Sequence, residues 1–350
     1  MLVAGAGMAG LCAAARARQL GVTPRVLEKG ERPGGSMLLS SGVIWRYRTL
    51  EEFRAACPGG DELLQRLIVD RLDDALDWLE SLGAPASVAA TENPRTVGRR
   101  FDTRQLTRAL VRAARGDVAV GSSLRETAEE RPLVLATGGF PVSLAELWGL
   151  PLRASPWSTG DGLAYARAHG GVTTAGMDEF YGRAMPAPPA QWDEDDFVVF
   201  AQVYGQVATV LDERGAEIPV DPDDWSDNGL VQEIARRGGT AWYVVAPEDL
   251  ERSTPYGTVA EAIERVRLAG GTVEHRDGGR LAVHVVAAVT HTIGGIRVDA
   301  RARVLRDDAE PIAGLYAAGV DAGGVATGGY ASGLAAALVL GLAAAEDAAT

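Results

Sequence analysis

The segment Val3-Ala4-Gly5-Ala6-Gly7-Met8-Ala9-Gly10 stands near the start of the chain, and an apolar run further along ends in Glu28. The first glycine of this pattern allows a tight turn out of a strand, the second lets backbone approach a pyrophosphate, and the third lets the next helix pack closely on the sheet. Glu28 stands near the ~20-residue offset at which an acid binds ribose hydroxyls. A Gly-rich turn between Ala-rich helices is the structural alternative. The full strand, helix, strand and acid pattern favours a dinucleotide cradle, and the carboxylate disfavours a ribose 2′-phosphate such as that of NADP.

Composition sets the broad class of the protein. The 350 residues are 47% hydrophobic, which is ample for a sizeable core, and the net charge is −13. This acidic surface has no Lys/Arg cluster and would repel phosphate backbones, so we expect no nucleic-acid partner.

The cysteine count and the apolar segments bear on location. Cys12 and Cys57 are the two cysteines, too few for a disulfide framework or a metal cluster, so we expect no metal and a cytoplasmic location. Met1 runs directly into the first strand, and we therefore expect no signal peptide. The most apolar segment, 334–345, is shorter than the ~20 residues of a membrane span and predicts a buried helix.

Apolar spacing and capping residues predict the other elements. Helices are expected over 61–82, from Asp102 or Thr103 to 114, over 163–169, and from a Thr258/Glu261 capping box to 268. Strands are expected near 2–4, 118–120, 132–136, 197–200, 283–292 with a continuation at 296–298, and 315–318. The prolines at 186, 188 and 189 and the acidic runs 193–196 and 221–224 indicate a second, more irregular domain in the middle of the chain.

Several motifs together resemble one family, the FAD-binding fumarate reductase and 3-ketosteroid dehydrogenase superfamily. They are Gly5 to Gly10, Glu28-Lys29, Gly34-Gly35-Ser36, Ala136-Thr137-Gly138-Gly139-Phe140, Gly160-Asp161-Gly162, His291-Thr292-Ile293-Gly294-Gly295 and Leu315-Tyr316-Ala317-Ala318-Gly319. The resemblance implies an α/β fold with a Rossmann-like, glutathione-reductase-type FAD domain formed by residues 1–177 and 292–350. It also implies an inserted α+β capping domain at 178–291, which would hold the substrate.

The resemblance implies FAD as the cofactor, held by small residues and hydroxyls that permit close approach. The implied contacts are Gly5, Ala6, Gly7, Ala9, Gly10, Glu28, Lys29, Gly35, Ser36, Ser41, Gly42, Val43, Thr137, Gly138, Asp161, Gly319, Val320, Gly333, Leu334 and Ala335. The N–H groups of the last three would stabilise an anionic flavin ring. Members with covalent flavin carry a His near Ser40-Ser41-Gly42; none stands here, so FAD is expected to be non-covalent.

Three departures from the family pattern affect the expected substrate. The acidic residue expected directly after Gly319 is displaced by Val320 to Asp321. Tyr330 stands where dicarboxylate-reducing members clamp a carboxylate with Arg, and the segment 221–225 has no Arg at the position of their proton donor. Fumarate and succinate are therefore disfavoured, and Tyr330 resembles the ketosteroid-dehydrogenase-like branch. A second tyrosine expected from the cap is not evident; Tyr181, Tyr204 and Tyr256 are the candidate substitutes.

The predicted catalytic residues are Tyr330, His291 and Ser332. Tyr330 would polarise a carbonyl or exchange a proton, His291 would position an oxygen, and Ser332 would relay a proton or cap the last helix. The expected reaction moves a hydride between flavin N5 and a C–C bond next to a carbonyl, as in an enone or cyclic ketone.

Two alternatives remain open. One is an ene-reductase of an unsaturated carboxylic acid. The other is a flavin-binding protein that has lost catalysis, suggested by Val320, the missing cap acid and the short connection after 118–120. Only one dinucleotide cradle is present, so NADH and NADPH are not the expected electron donors, and the electron partner is left unidentified.

Overall fold

The computed structural model describes residues 1–91, 93–115, 118–124 and 131–350. Part of the short connection after the strand predicted at 118–120 lies outside these residues. The chain forms two compact units. The first contains Met1–Val142, Ser155–Glu179 and His291–Thr350, and the second contains Ser143–Ala154 and Phe180–Thr290.

The segment 143–154 belongs to the second unit, whereas the sequence-based division assigned it to the first domain. Leu152 forms a β-bridge with Val289, and the Arg153 N–H donates to the Val289 carbonyl at 2.7 Å. These backbone contacts tie the segment to a strand of the second unit, a long-range pairing that no local pattern indicates. The roles of the two domains in holding FAD and capping the substrate remain predictions.

The strands of the described residues are mostly short. In chain order they are β1 Leu2–Ala4, β2 Arg25–Leu27, β3 Val43–Tyr47, β4 Ala86–Val88, β5 Thr96–Phe101, β6 Val118–Ala119, β7 Leu133–Leu135, β8 Phe180–Pro186, β9 Ala208–Leu211, β10 Thr240–Val245, β11 Ser253–Thr254, β12 Gly257–Thr258, β13 Val273–Arg276, β14 Arg280–Thr292, β15 Arg303–Leu305 and β16 Pro311–Ala317.

The predicted α-helices are present, together with others for which no prediction was made. They are α1 Met8–Gln19, α2 Leu50–Ala56, α3 Glu62–Ser81, α4 Thr103–Ala114, α5 Pro141–Trp148, α6 Asp161–Ala168, α7 Asn228–Arg236, α8 Val259–Leu268 and α9 Gly333–Ala348. Asp61 and Asp102 cap α3 and α4 through their side chains, and the predicted Thr258/Glu261 capping box is present on α8.

The first unit is built on a six-stranded sheet in the order β15-β16-β7-β1-β2-β6. All neighbours are parallel except the β15–β16 pair, and Val3 lies opposite both Val26 and Val134. These central strands are buried on both faces, as expected for a parallel sheet covered by helices. A small antiparallel sheet, β3-β5-β4, completes the strands of this unit. The predicted α/β fold class with a Rossmann-like domain is confirmed.

Helices α1 and α9 pack against each other beside this sheet. A β-carbon on Gly341 would lie 2.6 Å from the Ala9 carbonyl oxygen, so glycine is needed at the crossing. Side chains around the whole circumference of α9 are buried, which confirms the buried helix predicted from its apolar sequence. Within the described part of the chain, every helix falls short of the length or apolar character that a bilayer span requires.

The second unit contains an antiparallel sheet in the order β13-β14-β10-β9, with β8 also paired to β14. The strand predicted at 197–200 is wrong, because these residues form turns. The acidic run before them directs the backbone: Asp193 accepts from the Asp195 N–H at 2.9 Å, and Asp196 accepts from the Asp193 N–H at 3.0 Å. The continuation predicted at 296–298 is also wrong, since it makes only isolated bridges.

Candidate functional site

The three glycines of the first turn are needed for different structural reasons. Gly5 has φ +105°, and a β-carbon on it would lie 2.0 Å from the Ala136 carbonyl oxygen. A β-carbon on Gly10 would lie 1.9 Å from the Gly5 carbonyl oxygen. At Gly7, by contrast, the nearest protein atom would be 4.0 Å away. Gly5 and Gly10 are therefore required by packing within the chain, whereas Gly7 keeps open space at the start of α1, where a pyrophosphate would lie.

The Glu28 carboxylate is fixed at this turn. Its Oε2 accepts from the Ala6 N–H at 2.8 Å, and its Oε1 accepts from the Gly30 N–H at 2.7 Å. The side chain is buried at the end of β2. Each ionised carboxylate oxygen has a second acceptor site, so Glu28 retains the capacity to accept from ribose hydroxyls.

The loop after β2 is tied to the segment that leads into α6. The Lys29 ammonium donates to Thr159 Oγ1 at 2.7 Å and forms an ion pair with Asp161 at 3.0 Å. Ser36 Oγ accepts from the Ser155 N–H at 3.0 Å. The structure thus brings together Lys29 and Asp161, two residues predicted to contact the cofactor from distant parts of the sequence, and joins Ser36 to the loop that precedes Asp161.

Asp321 is directed away from the position that the family pattern gives to its acid. Its buried carboxylate accepts from the Thr137 N–H and, at 3.0 Å, from Thr137 Oγ1. Burial raises the pKa of Asp321 to about 6, against the lowering effect of the hydrogen bonds from the turn at Thr137–Gly139. The displacement by one residue therefore gives Asp321 a role in holding this turn, and Val320 lines the neighbouring pocket.

This pocket lies within the first unit, at the start of α9, and its walls are mainly apolar. It is lined by His291, Thr292, Ile293, Gly319, Val320, Ala322, Val325, Ala326, Ala331, Ser332, Gly333 and Ala336. The imidazole of His291 lies beside Gly333, where a β-carbon would be 3.2 Å from His291 Cε1. The described lining contains neither arginine nor lysine.

Ser332 caps α9 at the edge of the pocket. Its Oγ accepts from the Ala335 N–H at 3.3 Å, which confirms the predicted cap. The Ala335 N–H, predicted as one of three donors to the flavin, is therefore already engaged. Gly333 and Leu334 supply first-turn N–H groups that have no acceptor within the helix, and these remain the donors for a ligand.

Tyr330 lies next to the pocket-lining segment 331–333 but is not itself part of the lining. Its ring is half-buried and meets the Trp45 ring edge-on at a centroid distance of 5.5 Å. Its carbonyl accepts from the Tyr47 hydroxyl at 2.9 Å. The backbone at Tyr330 is thus fixed by β3, and the catalytic role of its phenol stays a prediction.

The other residues predicted near the flavin ring lie at the start of β3. Gly42 has φ +71° and packs against the Phe101 carbonyl oxygen, which a β-carbon would approach to 2.1 Å. Val43 is partly buried as the first residue of β3, and Ser41 is exposed. Here Gly42 is explained by the chain's own packing.

Three features of the first unit fit FAD. The open space at Gly7 suits a pyrophosphate, and Glu28 suits a ribose. Thr292 lines the pocket with a buried Oγ1 that has no hydrogen-bond partner among the described residues. A buried hydroxyl without a partner is costly, so a ligand that bonds to it stabilises the site. Thr292 belongs to a motif of the sequence, but its orphaned hydroxyl is visible only in the fold.

The second unit contains a buried polar cluster that sequence analysis missed. Arg183 on β8 donates to the Ala201 carbonyl at 2.8 Å, and its guanidinium carbon lies 4.1 Å from the Tyr204 ring centroid. Burial raises the pKa values of Asp227 and Tyr243, two of the charged and phenolic groups that act on Arg183. No motif marks this cluster, since its members come from separate turns and strands.

The three candidate cap tyrosines lie in different settings. Tyr204 packs on Arg183, and Tyr181 lies in β8 two residues before that arginine. Tyr256 lies in the turn between β11 and β12, where its carbonyl accepts from Arg265 at 3.0 Å. In the described ranges, no group of His, Cys, Asp and Glu side chains could hold a metal ion.

Comparisons with known proteins fit this site. The family model described as FAD binding domain matches residues 1–116 and 91–335. No curated protein matches the chain. A 3-ketosteroid Δ1-dehydrogenase from Sterolibacterium denitrificans, solved with 1,4-androstadiene-3,17-dione, has a TM-score of 0.74 at 15% identity, over 99% of this chain and 98% of that one.

Two further solved structures share the fold. A 3-ketosteroid-Δ4-(5α)-dehydrogenase from Rhodococcus jostii RHA1, in complex with 4-androstene-3,17-dione, has a TM-score of 0.71 at 20% identity, over 100% of this chain and 96% of that one. A flavocytochrome c3 fumarate reductase has a TM-score of 0.69 at 20% identity, over 99% of this chain and 77% of that one. At these identities the structures show a common fold.

The family match and the shared fold confirm the predicted superfamily, the cofactor FAD and the class of FAD-dependent oxidoreductase. The individual cofactor contacts stay predictions, supported by the open space at Gly7, the fixed Glu28 carboxylate and the orphaned Thr292 hydroxyl. The motifs quoted from the sequence, the parallel sheet and the family model all lead to one conclusion: the chain belongs to the FAD binding domain family.

Proposed function

We propose that this protein moves a hydride between FAD and a C–C bond next to the carbonyl of an apolar substrate, such as an enone or a cyclic ketone. The observation that carries the proposal is the pocket at the start of α9, where His291 stands among apolar walls. Such walls would hold the flavin ring and, against it, an apolar ring system of the substrate, and a few polar groups then set the orientation.

Each polar group of the region has a distinct role in this proposal. FAD supplies the redox chemistry, as the carrier of the hydride. The His291 ring holds a substrate oxygen, and it lies beside Gly333 at the start of α9. The first-turn N–H groups of Gly333 and Leu334 stabilise negative charge at the start of α9.

Tyr330 supplies the acid–base function. Its phenol donates a hydrogen bond to the substrate carbonyl or exchanges the proton that accompanies hydride transfer. Trp45 and Tyr47 support this role by fixing the ring and the backbone of Tyr330. Ser332 acts as the helix cap that holds the segment beside the pocket. Its Oγ accepts from the helix, so the hydroxyl proton is still available for the proposed proton relay.

The pocket also bears on the alternative of an unsaturated carboxylic acid. A carboxylate bound in a low-dielectric pocket requires a cation or several strong donors. The described lining offers neither arginine nor lysine, which disfavours fumarate, succinate and other acids. The steroid ketones named for two structures with this fold provide chemical precedent for the enone class in those proteins.

The electron partner is proposed to be oxygen, a quinone or a small carrier. The described first unit contains a single strand–turn–helix cradle with a downstream acid, and that cradle is assigned to FAD. We expect NADH and NADPH to reduce the flavin far more slowly than dithionite does.

Anaerobic spectroscopy tests the proposed function. The oxidised holoenzyme is mixed with cyclic ketones, and the dithionite-reduced holoenzyme is mixed with enones. Succinate is tested with the oxidised form and fumarate with the reduced form, as the comparison with carboxylic acids. The proposal predicts that at least one ketone or enone changes the flavin redox state and that both acids leave it unchanged. Rapid oxidation by fumarate would support the acid ene-reductase instead. A flavin whose spectrum shifts with ligands but never changes redox state would indicate a protein without catalysis.

A further inference from the structure

A partly exposed tryptophan stands beside the Glu28 carboxylate. A β-carbon built on Gly30 would lie 2.7 Å from Trp157 Cδ1, 3.0 Å from its Nε1 and 3.1 Å from Glu28 Oε1. The pyrrole edge of the indole therefore packs on Gly30, next to the acid that ends β2. Trp157 is nevertheless 44% exposed, so much of its aromatic surface faces solvent rather than the core.

The loop that carries Trp157 is fixed at both ends to the cradle. On one side the Ser155 N–H donates to Ser36 Oγ at 3.0 Å, and on the other the Lys29 ammonium donates to Thr159 Oγ1 at 2.7 Å. Within the loop, the Thr159 N–H donates to the Trp157 carbonyl at 3.1 Å. These contacts hold the indole in place before any ligand binds, which lowers the ordering cost of binding.

A second exposed apolar side chain lies at the same strand ends. Val120, just after β6, is 49% exposed, and the next residue, Gly121, donates its N–H to the Gly30 carbonyl at 3.0 Å. The Ser122 N–H donates to the Glu28 carbonyl at 2.8 Å. Gly30 therefore contacts an exposed indole and a carboxylate placed for a ribose, and its carbonyl binds the residue after the exposed Val120. This combination suits the flat apolar ring attached to that ribose.

We propose that Trp157 is the stacking platform for the adenine of FAD, with Val120 as a second apolar contact. Glu28 binds the adenosine ribose, and the adenine leaves that ribose along the indole. This positioning role makes the site selective for FAD over FMN, because FMN lacks the adenosine half. The inference rests on the FAD assignment and is independent of the substrate, so its failure would leave the proposed reaction untouched.

The test compares FAD and FMN binding to apoprotein prepared from Trp157→Ala, Trp157→Phe and the wild type. Stacking of a base on an aromatic side chain predicts that Trp157→Ala weakens FAD binding roughly 5- to 150-fold, while FMN affinity stays within about twofold. Trp157→Phe should fall between, because it keeps a smaller ring. Measuring both flavins on one preparation cancels differences in the folded fraction.

Trp78 provides the matched control, since it is a partly buried tryptophan of the first unit whose Nε1 donates to Gln19 at 2.8 Å. Trp78→Ala should leave the ratio of FAD to FMN affinity unchanged. The proposal is overturned if Trp157→Ala weakens FAD and FMN by the same factor, which would show a packing role only. It is also overturned if Trp157→Ala and Trp157→Phe both bind FAD as tightly as the wild type.

Discussion

Two glycine-rich turns follow strands of the same sheet. They differ in how well the sequence predicts the contacts that their residues make. Strands β1 and β16 both pair with β7, and each is followed by a glycine with positive φ, Gly5 at +105° and Gly319 at +68°. The first turn enters α1 at once, whereas the second runs from Gly319 to Ser332 before α9 begins.

The difference has a physical cause. In the short turn Gly10 packs on the Gly5 carbonyl, which belongs to the same strand–helix unit, while Gly5 itself packs on the Ala136 carbonyl after β7. In the long turn Val320 lines the pocket, while the next residue, Asp321, binds Thr137. Which of these two neighbours faces the pocket is decided by the path of the backbone, so residue spacing alone does not specify it.

Replacement of Gly10 by valine should give the largest effect on stability. The new β-carbon would lie 1.9 Å from the Gly5 carbonyl oxygen, and backbone at that point cannot move without breaking the turn. We expect Gly10→Val to lower the free energy of unfolding by about 3 kcal/mol or more. Urea denaturation of the apoprotein measures this, and an unchanged midpoint would contradict the packing role of Gly10.

Replacement of Gly7 by valine should separate cofactor binding from folding. Its backbone is extended at φ −78°, and the nearest protein atom to a β-carbon is 4.0 Å away, so the chain itself tolerates the side chain. We expect Gly7→Val to unfold within about 0.5 kcal/mol of the wild-type apoprotein but to lose FAD binding by more than ~10³-fold, because valine fills the pyrophosphate space. Retention of FAD by this folded variant would show that the cradle assignment is wrong.

Replacement of Tyr330 by phenylalanine tests the second turn. We expect the FAD spectrum to stay nearly intact and the rate of flavin reduction by a cognate ketone to fall ~10²-fold, the usual size of a lost acid–base contact. Tyr316→Phe is the matched control, since its hydroxyl donates to Asp347 at 3.0 Å, outside the proposed chemistry. Equal rates of flavin reduction in Tyr330→Phe and the wild type would show that Tyr330 has only a packing role.

Replacement of Asp321 by asparagine should produce the smallest effect, visible as a change with pH. The folded-state pKa of about 6 is raised above the ordinary value of 3.8, so the folded protein binds this proton more tightly than the unfolded chain does. The stabilising contribution is therefore present below about pH 4 and is lost as pH rises through about 6. From pH 4 to pH 7 the unfolding free energy of the wild type should fall relative to that of Asp321→Asn by roughly 2 kcal/mol.

Thermal or urea unfolding of Asp321→Asn and the wild type across this pH range provides the measurement. A constant difference between the two proteins would show that Asp321 titrates as an exposed carboxyl does. A difference that moved in favour of the wild type would mean that the hydrogen bonds from Thr137 outweigh burial.

Local chemistry explains which features were predictable from sequence. The Asp61 cap, the Thr258/Glu261 box and the packing of Gly10 on Gly5 depend on contacts between near neighbours, and all are present. The turns at 197–200 were mistaken for a strand, because Asp193 and Asp196 redirect the backbone through hydrogen bonds that an apolar pattern does not show.

The parts of the site that sequence did not reveal depend on long-range placement. Trp157 reaches Gly30 across more than a hundred residues of chain, and Asp321 reaches Thr137 in the same way. The orphaned hydroxyl of Thr292 is a property of its surroundings and not of its motif. Such features arise from tertiary contacts, which residue spacing along one chain does not specify.

The measurement that bears most directly on the central claim is the mass of a substrate after one anaerobic turnover. Holoenzyme with acid-releasable FAD is mixed with the best ketone or enone from the panel, and product formed is compared with flavin converted. The account predicts that one pair of hydrogen atoms is lost from, or gained by, a C–C bond next to the carbonyl for each FAD that changes redox state. Flavin conversion without that change in mass, or an equal conversion of fumarate, would contradict it.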